Sequence, residues 1–146
     1  KIMGIKRHHQ DGFTLIELLV TMTIFSILAS LAVSTYTGYI QASKRSDAHL
    51  ALYQLQNLQE KYKSNTGAYS TTLSAMGWVT TFSPRELYVL RTSITAAGFT
   101  LTATPRSGYS QEKDTTCTEM SLSHSGIRSA KDTSGTDTTD ECWVLN

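Results

Sequence analysis

A long apolar run near the start of the chain constrains the fold more than any other feature. It extends from Phe13 to Val33 and contains one charged residue, Glu17. A membrane-spanning helix needs about 20 predominantly apolar residues, so the run is long enough to span a bilayer. A carboxylate within such a helix is costly and usually marks a function. The short polar segment before the run carries the positive charge typical of a cytoplasmic flank, from Lys1, Lys6 and Arg7.

The polar segment meets the apolar run in the sequence Gly12-Phe13-Thr14-Leu15-Ile16-Glu17, followed by Leu18-Leu19-Val20. This sequence resembles the leader of type IV pilins and of the related pseudopilins of secretion systems. The resemblance implies that a prepilin peptidase cuts after Gly12 and N-methylates Phe13. It also implies that Glu17 pairs with the N-terminal amine of a neighbouring subunit during assembly. A buried charge is penalised less when it is paired, so such a pair would set the register between subunits.

Two other interpretations of the apolar run remain open. One is an ordinary secretory signal peptide that is cleaved at the small residues Ser30-Leu31-Ala32. The other is a single-pass membrane anchor without a role in a filament. The early carboxylate and the length of the run both argue against the signal peptide.

The pattern after the apolar run predicts that the helix continues. From Ser34 to Asn65 there is no proline, and Gly38 is the only glycine. Apolar residues recur at helical spacing, which indicates an amphipathic helix with one buried stripe formed by Ala51, Leu55, Leu58 and Tyr62. We therefore predict a leader over 1–12, an apolar helix for the membrane or the filament core over 13–33, an amphipathic helix over 34–65 and a globular β-domain over 66–146.

Four short segments of the last region have the composition of strands. A polar loop over 67–84 comes first, and the strand signals follow at 87–94, 99–104, 117–123 and 127–130. They predict an α+β fold in which the long N-terminal helix packs on a small antiparallel sheet. The segment Ser129–Glu141 is rich in Ser, Thr, Asp and Gly, and we predict that it does not pack. The resemblance implies a pilin-like fold with a surface-exposed C-terminal loop bounded by cysteines.

The two cysteines, Cys117 and Cys142, both lie near the C-terminus. If this part of the chain is exported, it enters an oxidising compartment, where a disulfide is the usual state. The bond would close a loop over residues 118–141. A metal or redox pair is the alternative, but the spacing does not match Cys-x-x-Cys and no histidine cluster lies nearby.

Motifs of the common enzyme classes are absent from the sequence. We find no nucleophile elbow, zinc-protease motif, phosphate loop or dinucleotide fingerprint, so we predict neither an enzyme nor a cofactor. His49 and His124 are expected to be solvated or to lie on a helix face. Three aspartates could offer oxygen ligands to calcium, but their spacing matches no calcium loop and no metal site is predicted: Asp132, Asp137 and Asp140.

Binding to nucleic acid would have to depend on a local patch, because the formal net charge of the chain is only +1. Four arginines fall in the predicted β-region: Arg85, Arg91, Arg106 and Arg128. If they converge, they could contact phosphates while Tyr109 or Trp143 stacks on bases. The alternative is a solvated face of scattered charges.

The sequence and the resemblance together predict a structural subunit of a type IV pilus, and a minor pilin in particular. The subunit would wait in the bacterial inner membrane and then enter a filament that runs from the periplasm to the cell surface. Its expected partners are other pilin subunits, the prepilin peptidase, the inner-membrane assembly platform and membrane lipid. DNA is a further partner if the chain acts in DNA uptake. A DNA-binding minor pilin in DNA uptake and a type II secretion pseudopilin are the alternatives.

Overall fold

The computed structural model describes residues 12–144, without the side chains of residues 31–35 and 37. Most of the predicted leader, including its cations, therefore lies outside the described residues. The chain divides into two compact units, Lys1–Thr37 and Gly38–Asn146, and each is described by itself.

A single helix, α1 (Leu15–Thr66), confirms the prediction of one long helix. It ends where Gly67 adopts the left-handed conformation, with φ of 84°. The backbone N–H of Gly67 donates to the carbonyl oxygen of Lys63 at 2.7 Å and closes the last turn. Glycine enters this conformation without the steric cost of a Cβ, so the predicted stop near residue 65 has a physical basis.

The first unit contains the apolar part of α1. Its apolar side chains are exposed, and Phe13, Leu15 and Phe25 are each more than two thirds accessible. Within residues 12–144, no helix has both the length and the apolar character needed to cross a membrane. The predicted membrane span over 13–33 stays a prediction.

The second unit contains an antiparallel sheet of four strands in the order β1-β2-β3-β4. The strands are β1 (Tyr88–Thr95), β2 (Gly98–Pro105), β3 (Glu119–Ser123) and β4 (Arg128–Lys131). The register aligns one residue from each strand into a buried row: Leu90, Ala103, Met120 and Ala130. Side chains alternate between the two faces of a sheet, so this row defines the face that is buried. The predicted four-stranded meander is confirmed.

The core forms between this face of the sheet and the second half of α1. Ala51 and Leu55 of the predicted stripe are fully buried, and Leu58 and Tyr62 pack against the core at its margin. The other large, fully buried apolar side chains come mainly from the strands: Leu52, Tyr88, Leu90, Phe99, Leu101, Met120 and Leu122.

Two buried polar side chains of α1 fasten the connection between α1 and β1. Asp47 accepts a hydrogen bond from Ser83 Oγ at 2.5 Å. Gln59 donates from Nε2 to the carbonyl of Ser70 at 2.8 Å and accepts from the backbone N–H of Ser70 at 2.9 Å. Buried polar groups are tolerated when they are paired in this way. The predicted loop over 67–84 is therefore held against α1, and it contains a short 3-10 helix, Ser74–Met76.

Candidate functional site

Thr14 and Glu17 cap each other at the start of α1. The backbone N–H and the hydroxyl of Thr14 both donate to Glu17 Oε2 at 3.0 Å, and the N–H of Glu17 donates to Thr14 Oγ1 at 3.3 Å. This is a capping box, in which a threonine and a glutamate three residues later satisfy exposed backbone amides. The capping role of Thr14 was not predicted, although the spacing Thr-x-x-Glu indicates it.

The predicted cleavage point lies immediately before this cap. A Cβ added at Gly12 would meet no atom of the described residues within 4 Å, and the side chain of Phe13 is 86% exposed. The predicted processing roles of Gly12 and Phe13, and the assembly role of Glu17, stay predictions.

Cys117 and Cys142 form a disulfide, with Cα atoms 5.8 Å apart. Both residues are fully buried in the core. The bond ties the C-terminal segment to the chain just before β3, as the disulfide interpretation predicted.

Backbone hydrogen bonds hold the segment Ser129–Glu141, and residues 133–137 within it are exposed. The prediction that this segment does not pack is therefore wrong for its start, where Ala130 is buried. The segment starts within β4, where Ala130 is only 2% exposed. Asp132 Oδ1 accepts the backbone N–H groups of two later residues, at 2.8 Å each, and shapes a tight turn. Thr138 N then donates to the carbonyl of Ala130 at 3.0 Å, and α2 (Thr139–Cys142) follows. Short polar side chains and backbone groups order this segment where apolar burial does not.

His49 holds the C-terminal segment. It lies on a face of α1, as one of the two expectations stated, and it is buried there and not solvated. It is 4% exposed, and its ring stacks on Trp143 with the ring centres 4.6 Å apart. Nε2 lies 2.9 Å from the carbonyl oxygen of Cys142, so Nε2 must carry the proton. Nδ1 is buried and has no hydrogen-bond partner among residues 12–144. Burial lowers the pKa of His49, the bond to Cys142 opposes this, and the cations Arg128 and Arg45 lower the pKa further.

Acidification is expected to destabilise the second unit through His49. Because the pKa is lowered in the folded state, the unfolded state takes up the proton more readily. The contribution of His49 is therefore complete above about pH 6.5 and is lost as the pH falls below that value. Urea unfolding of the full chain at about pH 7.5 and about pH 5.5 measures the loss. The variant His49→Gln can still donate to Cys142 but does not titrate, so its stability should fall less between the two pH values. Equal losses in the variant and the unaltered chain would contradict the assignment of this pH dependence to His49.

The four arginines do not form one cluster. The Arg106 guanidinium lies between two aromatic rings, 3.9 Å from the centre of Phe82 and 4.3 Å from that of Tyr109. Its Nη1 also donates to Glu86 Oε2 at 2.7 Å. Tyr109 remains 38% exposed, so it offers a ring to the solvent.

Arg85 and Arg91 belong to the same part of the sheet as Arg106. The backbone N–H of Arg106 donates to the carbonyl of Leu87, immediately before β1, at 2.9 Å. Arg85 precedes that point by two residues, and Arg91 is exposed within β1. Among the described residues, neither the Arg85 nor the Arg91 guanidinium forms an ion pair. Arg85 and Arg106 thus lie near the start of β1, and Arg91 lies further along the same strand.

Arg128 lies on β4, at the opposite edge of the sheet. Its guanidinium lies 5.8 Å from the ring centre of Tyr53 and 5.6 Å from that of Trp143. Trp143 is 8% exposed and donates from Nε1 to the carbonyl of Ser129 at 3.0 Å. Trp143 is therefore a packing residue, and Tyr109 is the better candidate for stacking on a base.

The three aspartates of the C-terminal segment do not gather into a metal site. Within residues 12–144, no group of three or more His, Cys, Asp or Glu side chains is placed to hold a metal ion. Asp137 Oδ1 instead accepts the hydroxyl of Thr139 at 2.6 Å and the N–H of Thr139 at 2.9 Å. These bonds hold the pKa of Asp137 below its usual range. The calcium alternative has no geometric support in this part of the chain.

The chain has a long N-terminal helix followed by a four-stranded antiparallel meander, with a disulfide near the C-terminus. This architecture defines a pilin-like protein. Residues 34–121 match the family model described as "Type IV minor pilin ComP, DNA uptake sequence receptor". Residues 7–33 match the model described as "Prokaryotic N-terminal methylation motif". The first match covers more than half of the chain, and the chain belongs to this family of type IV minor pilins.

Relatives of the chain include both pilins and pseudopilins. Fimbrial protein EcpC of Eikenella corrodens is 33% identical over 100 residues, which cover 67% of this chain and 64% of that protein. Type II secretion system core protein G of Aeromonas hydrophila is 34% identical over 67 residues, which cover 46% of this chain and 47% of that protein. Type IV major pilin protein PilA of Myxococcus xanthus is also 34% identical over 67 residues, which cover 30% of its length. The chain therefore spans less than two thirds of these relatives.

A solved type IV pilin from Shewanella oneidensis is also similar to the chain. The two are 24% identical with a TM-score of 0.44, and the match covers 60% of this chain and 89% of that one.

Proposed function

We propose that the chain is cleaved after Gly12, methylated on Phe13 and held in the bacterial inner membrane by the segment 13–33 until it enters a type IV pilus. The methylation-motif match over residues 7–33 supports this proposal. The exposed apolar side chains of the first unit support it as well, because a contiguous apolar surface needs lipid or protein around it. Its partners would be the prepilin peptidase, the inner-membrane assembly platform and other pilin subunits.

The alternative of a type II secretion pseudopilin is less well supported. Core protein G of Aeromonas hydrophila is matched over 46% of this chain. The minor-pilin family model extends from residue 34 to residue 121 and so includes β1, β2 and most of β3. The globular unit therefore favours the pilus.

The capping box gives the assembly role of Glu17 a sharp test. Glutamine can replace glutamate in a capping box, because its side chain also accepts from the backbone of Thr14. Glu17→Gln therefore keeps the cap and removes the charge, whereas Glu17→Val removes both. If Glu17 pairs with the amine of a neighbouring subunit, we expect both variants to be depleted from sheared pili at equal abundance in the membrane. Normal incorporation of Glu17→Gln would limit Glu17 to capping.

We further propose that the globular unit binds DNA at the edge that carries Arg85, Arg91 and Arg106. The observation that carries this proposal is the family match, since that family is described as a DNA uptake sequence receptor. The chemistry of the edge fits it: Arg85 and Arg91 form no ion pair with described residues and can meet phosphates. The guanidinium of Arg106 stacks on Tyr109 and leaves that side chain 38% exposed, so Tyr109 could stack on a base or a sugar.

Arginine variants separate this edge from the rest of the surface. The double variant Arg85→Gln, Arg91→Gln of the full chain in detergent micelles is expected to bind duplex DNA more weakly. The slope of log affinity against log salt should also become shallower by about one for each phosphate that the variant no longer binds. Arg128→Gln removes the same charge at the opposite edge and should leave both quantities unchanged. Fluorescence anisotropy with pooled duplexes of about 20 base pairs measures them; equal effects at the two edges would contradict the proposal.

A further inference from the structure

The second half of β1 has an open edge. On the side away from β2, the carbonyl of Tyr88 accepts from the N–H of Ser83 at 2.9 Å, and the N–H of Leu90 donates to the carbonyl of Thr81 at 2.7 Å. The direction of backbone groups repeats every two residues along a strand. The N–H and carbonyl groups of Thr92 and Ile94 therefore point to this same side.

No backbone group in the described part of the chain pairs with that stretch, although the hydroxyl of Thr92 accepts from Gln59 Nε2 at 2.9 Å. The short segment 81–83 covers the start of β1, and backbone bonds from another segment to Thr92 or Ile94 are absent among residues 12–144. The opposite edge of the sheet is covered, because the N–H of Ala130 donates to Thr139 Oγ1 at 2.9 Å and its carbonyl accepts from Thr138. Natural sheets protect an open edge with charge, proline or a bulge. The residues Thr92-Ser93-Ile94-Thr95 have none of these, and the two threonines and the isoleucine are good strand formers.

A groove lies at each end of this open edge. The first, about 370 Å³, is lined by Leu73, Trp78, Leu90 and Arg91 among others, beside Thr92. The second, about 440 Å³, takes in Ile94 and the turn after β1, together with Lys63, Tyr69 and His124. Among the described residues that line the two grooves none is acidic, whereas each groove has a permanent cation. The edge thus offers backbone pairing in the middle and positive charge at both ends.

We propose that this edge binds an extended, acidic segment of another protein, which adds a strand beside Thr92 and Ile94. The partner's backbone would pair with the four free groups of these two residues, as strand addition at a sheet edge requires. Its alternate side chains would enter the apolar part of the first groove, and its carboxylates would meet Arg91 and Lys63. Paired backbone groups recognise a peptide in particular, since a nucleic acid has no alternating N–H and carbonyl groups to offer. This site shares Arg91 with the proposed DNA edge, but it depends on the backbone groups of Thr92 and Ile94, which the DNA proposal does not use.

Proline at position 94 tests the proposal directly. The N–H of Ile94 points away from β2, so Ile94→Pro removes a donor of the open edge and keeps the ladder with β2. Ile94→Thr is the matched control, because it keeps the N–H and a β-branched side chain. The probe is a capped peptide of about eight residues that alternates valine with glutamate and threonine. A second peptide carries lysine in place of glutamate. Binding to the full chain in micelles is measured from the backbone amide NMR signals of residues 90–95.

The acidic peptide is expected to shift the amide signals of Thr92 and Ile94 and to bind about tenfold more tightly than the lysine peptide. Ile94→Pro should weaken its binding about tenfold, and Ile94→Thr should leave it unchanged. If Ile94→Pro does not fold, an acidic peptide methylated on alternate backbone nitrogens must show the same loss with the unaltered chain. Equal binding of the two peptides, or equal binding by the two variants, would overturn the proposal. The proposal would also be wrong if no peptide binds up to about 1 mM, or if a DNA duplex is the only ligand that shifts these amides.

Discussion

Replacing Asp114 by alanine is expected to lower the free energy of unfolding of the second unit by about 3 to 5 kcal/mol. Asp114 is buried and accepts from Arg45 Nε at 2.7 Å and from Arg45 Nη2 at 2.9 Å. Its Oδ1 also accepts the backbone N–H groups of Thr116 and Cys117. Alanine would leave a largely buried guanidinium without its counter-charge and would remove the acceptor of two amides. An unpaired charge of this kind costs much more than the removal of a surface pair.

Urea unfolding of the full chain, followed by tryptophan fluorescence, measures this loss. Asp140→Ala is the matched control, because Asp140 is an exposed aspartate of the same region. It should change stability by less than about 0.5 kcal/mol. A loss of less than about 1 kcal/mol for Asp114→Ala would mean that the Arg45–Asp114 pair acts like a surface ion pair.

Replacing Cys117 by serine is expected to lower the free energy of unfolding by about 3 kcal/mol. The two cysteines are 25 positions apart, and the chain-entropy model gives a loop of this length about that stabilisation. The loss of the disulfide should also speed proteolysis within 133–137, where the segment is exposed. Because Cys117 N donates to Asp114 at 3.2 Å, the Asp114 and Cys117 substitutions are in contact and their effects should not be additive.

Reduction of the unaltered chain is the control for the cysteine variant. The reduced chain should unfold at the same urea concentration as Cys117→Ser, since both lack the crosslink. Identical electrophoretic migration with and without reductant, together with labelling of both thiols by an alkylating agent, would contradict the disulfide.

The sequence was sufficient for the elements that repeat a simple pattern. The absence of proline and the helical recurrence of Ala51 and Leu55 predicted α1, because burial of one stripe stabilises an amphipathic helix. Alternation predicted the four strands within a few residues of their observed bounds. The disulfide could be predicted from the two cysteines once export of this part of the chain was assumed.

The sequence did not predict the polar contacts that link distant segments. His49 carries no mark of burial in the sequence, and only the fold brings the carbonyl of Cys142 and the ring of Trp143 to it. Composition also misled the prediction for Ser129–Glu141. Asp132 and Thr138 satisfy backbone groups there and order the segment without apolar burial. Composition reports how much apolar surface a segment can bury, but it does not report such pairings.

The candidate DNA edge was predictable in part. The sequence identified Arg85, Arg91 and Arg106, but it grouped Arg128 with them, because the order of the strands was not known from the sequence. The sheet order places β4 at the edge opposite β1 and so removes Arg128 from the group. The stack of Arg106 between Phe82 and Tyr109 joins residues from two loops, and no local pattern in the sequence indicates that contact.

We propose above all that this chain is a processed pilin that becomes part of a filament. Mass spectrometry of the subunits in sheared, purified pili tests it most directly, with the membrane fraction of the same cells measured alongside. We expect the pili to contain a peptide of this chain that begins at Phe13 and carries a methyl group on its N-terminal nitrogen. The proposal is wrong if the chain is present in the membrane fraction but absent from the pili. It is also wrong if the N-terminus of the chain in the pili follows Ala32.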